Sequence, residues 1–331
     1  MNASVSGRTA LVTGAGGFIA SHLIERLVLD GAKVRALCRY TSRREIGELA
    51  DVDPGVLAEA DLRFGDLGDA DLVRDAAAGV DLVFHLGASI SVPYSYVAPR
   101  EVVTTNVLGT LNVLQAARAA GCARVVQMSS SEVYGSALRV PMDEDHPLNA
   151  QSPYAASKVG ADKLAESFHL SYELPVVVAR PFNTYGPRQS PRAVIGTIID
   201  QALTGEGLEL GALDTSRDFV FVADTIEALI RLATSDAVVG RVLNIATGVD
   251  VTVREIVDLV GEIVGRPLAV TTHDARLRPK ASEVRQLCGD ATRLREATGW
   301  APATTLRDGL ERVVAWRRER GATPRPGEYA V

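Results

Sequence analysis

The chain contains few cysteines, no long apolar run and no secretion signal. Three cysteines, Cys38, Cys122 and Cys288, are scattered through 331 residues without a C-x-x-C spacing. Such a set argues against a disulfide framework or a zinc site and is typical of a reducing compartment. No stretch approaches the roughly 20 apolar residues of a membrane span, and the N-terminal segment lacks the basic start and apolar run of a signal peptide. We therefore expect a cytoplasmic protein without a metal site.

Charge of one sign is not concentrated anywhere in the chain. The formal net charge is −6, from 35 basic and 41 acidic residues. Nucleic-acid and membrane surfaces need a basic patch, so we expect neither kind of partner. Hydrophobic residues make up 47% and charged residues 23%, which is typical of a globular protein with a sizeable core. The length suits two domains.

Short apolar runs alternate with helical patterns through the first half of the chain. The predicted strands are Thr9–Thr13, Lys33–Cys38, Asp81–Leu86, Arg124–Ser129 and Val176–Arg180. The predicted helices are Ile19–Asp30, Ala70–Ala78, Thr105–Ala120 and Pro153–Leu170. Nearly continuous apolar strands with helices between them indicate a parallel sheet that is covered on both faces. The fold class predicted is therefore α/β, a Rossmann-type doubly wound parallel sheet.

The regular alternation of predicted strands and helices ends after Pro181. The segment PFNTYGPRQSPR is rich in Pro, Asn and Gly, which is typical of a functional loop. Shorter elements come after it, among them the helix Val253–Val264 and a loop rich in Pro and Arg at 276–280. We predict a dinucleotide-binding domain of residues 1–180 plus about 217–247. A smaller, partly interleaved substrate domain would comprise about 181–216 and 248–331.

A glycine-rich turn follows the first predicted strand and opens the first helix. Gly14, Gly16 and Gly17 allow a tight turn, a close approach of the backbone to a pyrophosphate, and a helix N-terminus aimed at its charge. The G-x-x-G-x-x-A spacing that ends at Ala20 resembles the extended short-chain dehydrogenases/reductases, which usually read TGxxGFIG. The resemblance implies that NAD or NADP is bound here. By the same likeness, further residues border the dinucleotide: Phe18, Ile19, Asp66, Leu67 and Leu86.

The end of the second strand bears on the choice between NAD and NADP. An acid that binds the adenosine ribose is usual at this place, but the chain has Cys38 followed by Arg39. Arg39, Ser42 and Arg43 can cradle a 2′-phosphate, which favours NADP slightly. NAD stays open, because these arginines can equally lie in solvent.

A Y-x-x-x-K pair and a serine point to hydride-transfer chemistry. Tyr154 and Lys158 lie four residues apart on one face of a predicted helix. A phenol with a reference pKa near 10 is a poor base at neutral pH, and the lysine and an oxidised nicotinamide would lower that pKa. Ser130 would hydrogen-bond the reacting hydroxyl. Together the three residues match the catalytic triad of the superfamily.

Glu132 suggests a second chemical task beside the triad. A carboxylate can abstract a proton that an adjacent ketone makes acidic. The order Ser130-Ser131-Glu132 resembles the T-S-E of GDP-mannose dehydratases, which implies oxidation at C4, deprotonation at C5, loss of the 6-hydroxyl and return of the hydride to C6. Other dehydratases carry an aspartate where Ser131 stands. Because serine is a poor acid, Glu132 or a water would both deprotonate C5 and protonate the leaving hydroxyl.

Longer segments, over roughly Thr9 to Pro302, resemble dehydratases of nucleotide-linked N-acetylglucosamine in legionaminic-acid-type pathways. The segments are VPYSYVAPREVVTTNVLGTLNVLQAAR, EDHPLNAQSPYAASKVGADKLAESF, RPFNTYGPRQSPRAVIGTIIDQ and RDFVFVADT. The likeness implies a UDP- or GDP-linked substrate, with its diphosphate held by Asn183, Arg217 and Arg278. It also implies that a loop including Arg188 and Val194 wraps the base and sugar, and that Asn106 lies near Tyr154. A homodimer through the helices 105–120 and 153–170 is implied as well.

Three other functions remain open. A nucleotide-sugar 4-epimerase would need only the triad, and 4-epimerases tend to have a small or neutral residue at the position of Glu132. A nucleotide-glucuronate decarboxylase shares the T-S-E pattern and would place an arginine on the 6-carboxylate. A dinucleotide-sensing module without catalysis has no need of Ser130, Tyr154 and Lys158, so the intact triad argues against it.

Overall fold

A parallel sheet of seven strands lies at the centre of the computed structural model, which describes residues 4–205, 207–273, 278–279 and 281–321. The strand order is β10-β6-β5-β4-β1-β2-β3, so the chain runs outward from β1 in both directions. The strands are β1 (Thr9–Thr13), β2 (Lys33–Arg39), β3 (Ala60–Gly65), β4 (Leu82–His85), β5 (Arg124–Met128), β6 (Val176–Pro181) and β10 (Val242–Ile245). This order has the switch point of a doubly wound sheet between β1 and β4.

Helices cover both faces of this sheet. One face carries α3 (Ala70–Ala77), α6 (Gly109–Ala120) and α7 (Pro153–Tyr172), and the other carries α1 (Phe18–Leu29) and α9 (Val222–Thr234). Successive side chains of a strand point to opposite faces. Leu11 of β1 accordingly packs into one apolar core, whereas its neighbours Ala10 and Val12 pack into the other.

Shorter elements connect these layers. They are a 3-10 turn at Gly47–Asp51, α2 (Pro54–Ala58), α4 (Val92–Val97), α5 (Pro99–Val103), a π-helical turn at Thr104–Leu108 and a 3-10 turn at Ser131–Tyr134. The π turn runs directly into α6. Such turns are frequent near functional sites.

A second, smaller sheet is built from the later part of the chain. It contains β7 (Asn183–Tyr185), β9 (Ser216–Phe221), β11 (Asp250–Thr252) and β13 (Gln286–Leu287), while β8 (Leu208–Leu210) pairs with β12 (Val270–Thr272). Four helices accompany these strands: α8 (Val194–Thr204), α10 (Val253–Val264), α11 (Thr292–Thr298) and α12 (Leu306–Arg320). Between β9 and β11 the chain returns to the large sheet to add α9 and β10.

The predicted fold class is confirmed, but the domain boundary and one strand need correction. The return to the large sheet was expected near residue 217, but β9 pairs with β7, β11 and β13 and so belongs to the small sheet. The return begins at Val222, where α9 starts. Strand β3 was not predicted, because only its last residue is fully buried and its polar residues break the apolar pattern. Of the predicted loop 276–280, only Arg278 and Pro279 fall within the described residues.

The described part of the chain shows neither a membrane-spanning helix nor a cluster of metal-ligating side chains. None of its helices is long and apolar enough to cross a bilayer. Among the same residues, no three His, Cys, Asp or Glu side chains are grouped in a way that could hold a metal ion.

Candidate active site

The carboxyl ends of the large sheet's strands bring most of the predicted site residues to one edge. Because all neighbouring strands of this sheet are parallel, the residues that follow β1, β2, β4 and β5 lie along the same edge. Ligands of open α/β sheets bind outside this edge, at the switch point. Gly14, Leu86 and Ser130 follow β1, β4 and β5 respectively, so the predicted cofactor turn and triad lie at this edge.

The glycine-rich turn leaves no room for side chains. Gly14 has φ +68°, and a Cβ atom there would lie 2.6 Å from the Cα of Gly87. At Gly16, a Cβ atom would lie 2.9 Å from the carbonyl oxygen of Ile46. Gly17 is the N-cap of α1 and has no side-chain cap. Phe18 and Ile19 are partly buried in the first turn of that helix. A backbone this bare before a helix N-terminus fits a dinucleotide pyrophosphate.

The end of β2 presents positive charge to solvent. Cys38 is buried, and burial raises the pKa of its thiol to about 11. Arg39 is exposed, with its guanidinium 4.0 Å from the carboxylate of Glu101. Ser42 and Arg43 are exposed in the following loop. No ribose-binding acid therefore stands at the end of this strand.

Asp66 and Leu67 follow β3 beside the same edge. One carboxylate oxygen of Asp66 accepts a hydrogen bond from the backbone of Gly68 at 2.7 Å. The side chain of Leu67 packs against Gly87 and Gly109, where any Cβ atom would lie within 3.0 Å of it. These contacts place Leu67 next to the segment that follows β4.

Tyr154 and Lys158 lie on the buried face of α7. Lys158 Nζ donates to the carbonyl oxygen of Met128, at the end of β5, at 2.5 Å. Burial lowers the pKa of Lys158 to about 8, against the effect of Asp162, which raises it. Burial also raises the pKa of Tyr154 to about 12, although a hydrogen bond with Ser130 opposes this shift. The expected fall in the phenol's pKa is thus not met in the protein alone, because burial outweighs the neighbouring groups.

Ser130, Ser131 and Glu132 form the turn after β5. Ser130 caps the 3-10 turn by accepting from the backbone of Glu132 at 3.2 Å, and Ser131 is buried. Glu132 is close enough to Tyr154 for its negative charge to raise the pKa of that phenol. The structure therefore brings the triad and the additional carboxylate together.

One arginine of the smaller part of the chain contacts Glu132, and the charge of a second interacts with it. Arg278 Nη1 lies 3.3 and 3.4 Å from the two carboxylate oxygens of Glu132. Arg217 is buried in β9, with Nη2 3.7 Å from Glu283. Burial lowers the pKa of Arg217, and Glu132 opposes this shift. The result is a compact group of two cations and two carboxylates next to the triad.

The remaining predicted substrate residues lie in β7, at the start of α8 and in the loop between these two elements. Arg188 does not join the Glu132 group: its guanidinium donates to Glu25 of α1 at 2.7 Å, and its backbone has φ +66°. Asn183 begins β7 and is partly exposed. Val194 begins α8 and packs against the apolar core.

One buried network at the site was missed from the sequence. Asp162 lies one helical turn beyond Lys158, and its Oδ2 accepts from Ser129 at 2.7 Å and from Arg180 at 3.0 Å. The Y-x-x-x-K-x-x-x-D spacing was a usable signal, since it puts Asp162 on the same helical face. No comparable signal marks Glu283 or its pairing with Arg217.

Comparisons with known proteins agree with this geometry. A family model described as GDP-mannose 4,6 dehydratase matches residues 11–313. The chain belongs to this family, in the extended short-chain dehydrogenases/reductases.

Similar members of the family include both dehydratases and epimerases. The chain is 36% identical to a UDP-glucose 4-epimerase of Mycolicibacterium smegmatis, over 94% of this chain and 98% of that one. It is also 36% identical to a dTDP-glucose 4,6-dehydratase of Streptomyces griseus, over 92% and 93%. The structure of MoeE5 in complex with UDP-glucose and NAD superposes with a TM-score of 0.83 at 36% identity, over 94% of this chain and 99% of that one. The chain is therefore an enzyme of the nucleotide-sugar dehydratase and epimerase class.

Proposed function

We propose that this family member is a nucleotide-sugar 4,6-dehydratase with NAD(P) as a tightly bound, regenerated cofactor. The observation that carries the proposal is the carboxylate of Glu132 beside Ser130 and the buried Tyr154, where a 4-epimerase needs no carboxylate. The glycine-rich turn and Lys158 would hold the dinucleotide, whose nicotinamide would supply reversible hydride acceptance, from C4 and back to C6.

Tyr154 would take the proton of the C4 hydroxyl, with Ser130 hydrogen-bonded to the same oxygen. The phenol with a pKa of about 12 needs help to lose its proton at neutral pH. The ammonium of Lys158, buried one helical turn further along α7, would provide one positive charge, and the oxidised nicotinamide would provide a second. Lys158 would also bind the nicotinamide ribose.

Glu132 would take the C5 proton once C4 is a ketone. Its carboxylate is paired with the guanidinium of Arg278 at 3.3 Å. The same proton would then be passed to the departing 6-hydroxyl, so that water leaves. When the hydride returns to C6, C5 takes up one proton, which balances the proton that Tyr154 removed from the C4 hydroxyl, so no net proton is consumed. Ser131, which is buried next to Glu132, would hydrogen-bond the substrate rather than act as an acid.

Arg217 and Arg278 would hold the substrate's diphosphate, because guanidinium groups pair well with phosphate oxygens. Asn183 and the loop with Arg188 and Val194 would complete the nucleotide site. We favour a UDP- or GDP-linked N-acetylglucosamine as substrate, on the sequence likeness alone. Exposed Arg39, in place of a ribose-binding acid, favours NADP slightly over NAD.

Two other activities are consistent with parts of the site. The 36% identity to a UDP-glucose 4-epimerase favours a 4-epimerase as the second candidate. The contact between Glu132 and Arg278 would suit a nucleotide-glucuronate decarboxylase, where an arginine meets the 6-carboxylate.

Mass spectrometry separates these activities. The purified protein, without added reductant, is incubated with UDP- or GDP-N-acetylglucosamine, with dTDP-glucose and with UDP-glucuronate. We expect one N-acetylglucosamine nucleotide to lose one water. An unchanged mass with a new stereoisomer would establish the epimerase instead, and loss of carbon dioxide the decarboxylase.

Glu132→Gln should separate the two chemical steps. The amide cannot take the C5 proton, so water loss should fall by about 10²- to 10⁴-fold, the usual contribution of a general base. Reduction of the bound nicotinamide, followed by its absorbance, should remain detectable because Tyr154 is intact. The matched control is Glu166→Gln, the same change on the outer face of α7, which should keep wild-type dehydration. If Glu132→Gln loses water from the substrate at the wild-type rate, Glu132 does not have the proposed role.

A further inference from the structure

A buried series of hydrogen bonds connects the glycine-rich turn with α6. It passes through His85, the last residue of β4. His85 Nδ1 lies 2.7 Å from Thr13 Oγ1, at the end of β1, and Nε2 lies 3.0 Å from Thr110 Oγ1 of α6. None of the three side chains is more than 2% exposed. Each hydrogen bond therefore forms without competition from bulk water.

A backbone carbonyl fixes the direction of these bonds. Thr110 Oγ1 donates its single proton to the carbonyl oxygen of Asn106 at 2.6 Å. A carbonyl oxygen can only accept, so the proton between Thr110 and the imidazole must belong to His85 Nε2. Burial, and to a lesser extent Lys158, lowers the pKa of His85 to about 3, so the ring is neutral and carries one proton.

The other ring nitrogen must then accept. Thr13 Oγ1 accepts from the backbone N–H of Gly87 at 3.1 Å and donates its own proton to His85 Nδ1. All donors consequently point the same way, from Gly87 through Thr13, His85 and Thr110 to Asn106. Only the neutral Nε2–H tautomer of His85 satisfies every one of these bonds.

Asn106 connects this series to the helix of Tyr154. It lies in the π turn, and its Oδ1 accepts from the backbone of Ser89 at 2.7 Å. Its Nδ2 donates to Ser157 Oγ of α7 at 2.8 Å, and Ser157 Oγ donates to the carbonyl oxygen of Tyr154 at 2.7 Å. The predicted closeness of Asn106 to Tyr154 thus takes the form of a hydrogen-bonded path through Ser157.

We propose that His85 is a positioning residue for hydride transfer, which holds the glycine-rich turn at a fixed place relative to the Tyr154 helix through its Nε2–H tautomer. This inference rests on the proposed function, since it takes a dinucleotide on the turn and a sugar hydroxyl at Tyr154. A misplacement of about 1 Å between reacting groups can cost on the order of 10²-fold in rate. The imidazole contacts Thr13 beside the turn, and through Thr110 and Asn106 it is connected to the Tyr154 helix, which limits such misplacement.

The first experiment observes the tautomer. Long-range ¹H–¹⁵N spectra of histidine rings distinguish the two neutral tautomers and the charged form. The chain has five histidines, and His85→Gln assigns the signal. We expect the Nε2–H tautomer, unchanged between about pH 6 and pH 8, where an ordinary histidine titrates. An Nδ1–H tautomer, or protonation within this interval, would overturn the proposal.

The second experiment removes the Thr110 hydroxyl. Thr110→Val keeps the shape of the side chain but leaves His85 Nε2–H without its acceptor. At saturating nucleotide sugar, we expect cofactor reduction in a single turnover to slow by about tenfold, with a much smaller change in KM. Thr110→Ser should restore the rate. Thr204→Val is the control, because it removes a hydroxyl that bonds a helix carbonyl in α8, far from the turn.

The two experiments separate failure of this inference from failure of the proposed function. If Thr110→Val loses thermal stability but reduces the cofactor at the wild-type rate, His85 has a structural role only and the proposal is overturned. If no nucleotide sugar is turned over by any form of the protein, the proposed function fails. The positioning role in hydride transfer then fails with it. The tautomer, whose measurement needs no substrate, still tests the direction of the hydrogen bonds through His85.

Discussion

At the scale of single residues, burial disfavours the charged forms of both Tyr154 and Lys158. It raises the pKa of Tyr154 to about 12 and lowers that of Lys158 to about 8. Tyrosinate is therefore costly in the protein alone, and positive charge nearby determines how often it forms. Lys158 supplies such charge only while it is protonated, which is below about pH 8.

Lys158→Met should slow oxidation at C4 by about 10²-fold or more at pH 7, within the range for loss of assistance to a general base. The ratio of the wild-type rate to the variant's rate should become smaller as the pH rises above about 8, because the wild-type lysine then loses its proton. The measurement is the rate of cofactor reduction at several pH values. Lys163→Met, at an exposed lysine of the same helix, is the control and should match the wild type throughout. A difference that is independent of pH would contradict a role for the lysine's charge.

At the scale of elements, one carboxylate joins the two sheets. Asp218 of β9 is fully buried, and its oxygens accept from Thr247 at 2.6 and 2.9 Å, from the backbone of Gly248 at 2.9 Å and from that of Gly289 at 3.2 Å. These partners lie in the segment after β10 of the large sheet and in the segment after β13 of the small one. The carboxylate therefore fixes β9, which carries Arg217, against both.

Asp218→Asn should destabilise the protein by about 1–3 kcal/mol, because an amide has only one acceptor oxygen and leaves a buried N–H facing donors. Urea unfolding measures the change. Asp214→Asn, at an exposed residue just before β9, should leave the midpoint unchanged. If the urea midpoint of Asp218→Asn also equals that of the wild type, Asp218 does not contribute to stability in this way.

The elements also show how far the sequence determines the structure. The period of apolar residues predicts the large sheet and its helices, and Val253–Val264 is predicted to the residue. Local periodicity does not predict partners distant in the chain. It therefore missed the pairing of β9 with β13 across roughly 70 residues. Strand β3 was missed for another reason, since its polar residues break the apolar pattern. The triad and Glu132 could be predicted because the residue types and their spacing in the sequence are those that the reaction needs. The contact of Arg188 with Glu25 could not, because it depends on how a loop folds back onto α1.

At the scale of the whole molecule, the outer surface of the π turn and α7 carries apolar side chains in solvent. Leu108, Leu170 and Tyr172 are exposed there. The ring of Tyr172 contacts the guanidinium of Arg118 at 3.9 Å and packs edge-on against Phe168. A homodimer through the helices 105–120 and 153–170, as the sequence likeness implies, would bury such side chains.

The double variant Leu108→Glu/Leu170→Glu should be a monomer, because charged carboxylates are costly to bury in an apolar interface. Light scattering after size exclusion measures the mass, with twice 35.2 kDa expected for the wild type. Leu29→Glu, at an exposed leucine of α1 outside these helices, is the control and should remain dimeric. A monomeric wild type would rule out the predicted assembly.

The return of the chain to the large sheet at Val222 constrains how the protein can form during synthesis. β10 covers the edge of β6, yet residues 182–241, including β7 and β9 of the small sheet, emerge from the ribosome between them. Until residue 245 has emerged, β6 has an unpaired edge, and open edges promote association between nascent chains. A fragment that stops near residue 180 would keep this edge permanently. The gene therefore cannot be divided there into two separately expressed halves without exposing the aggregation-prone strand that β10 protects.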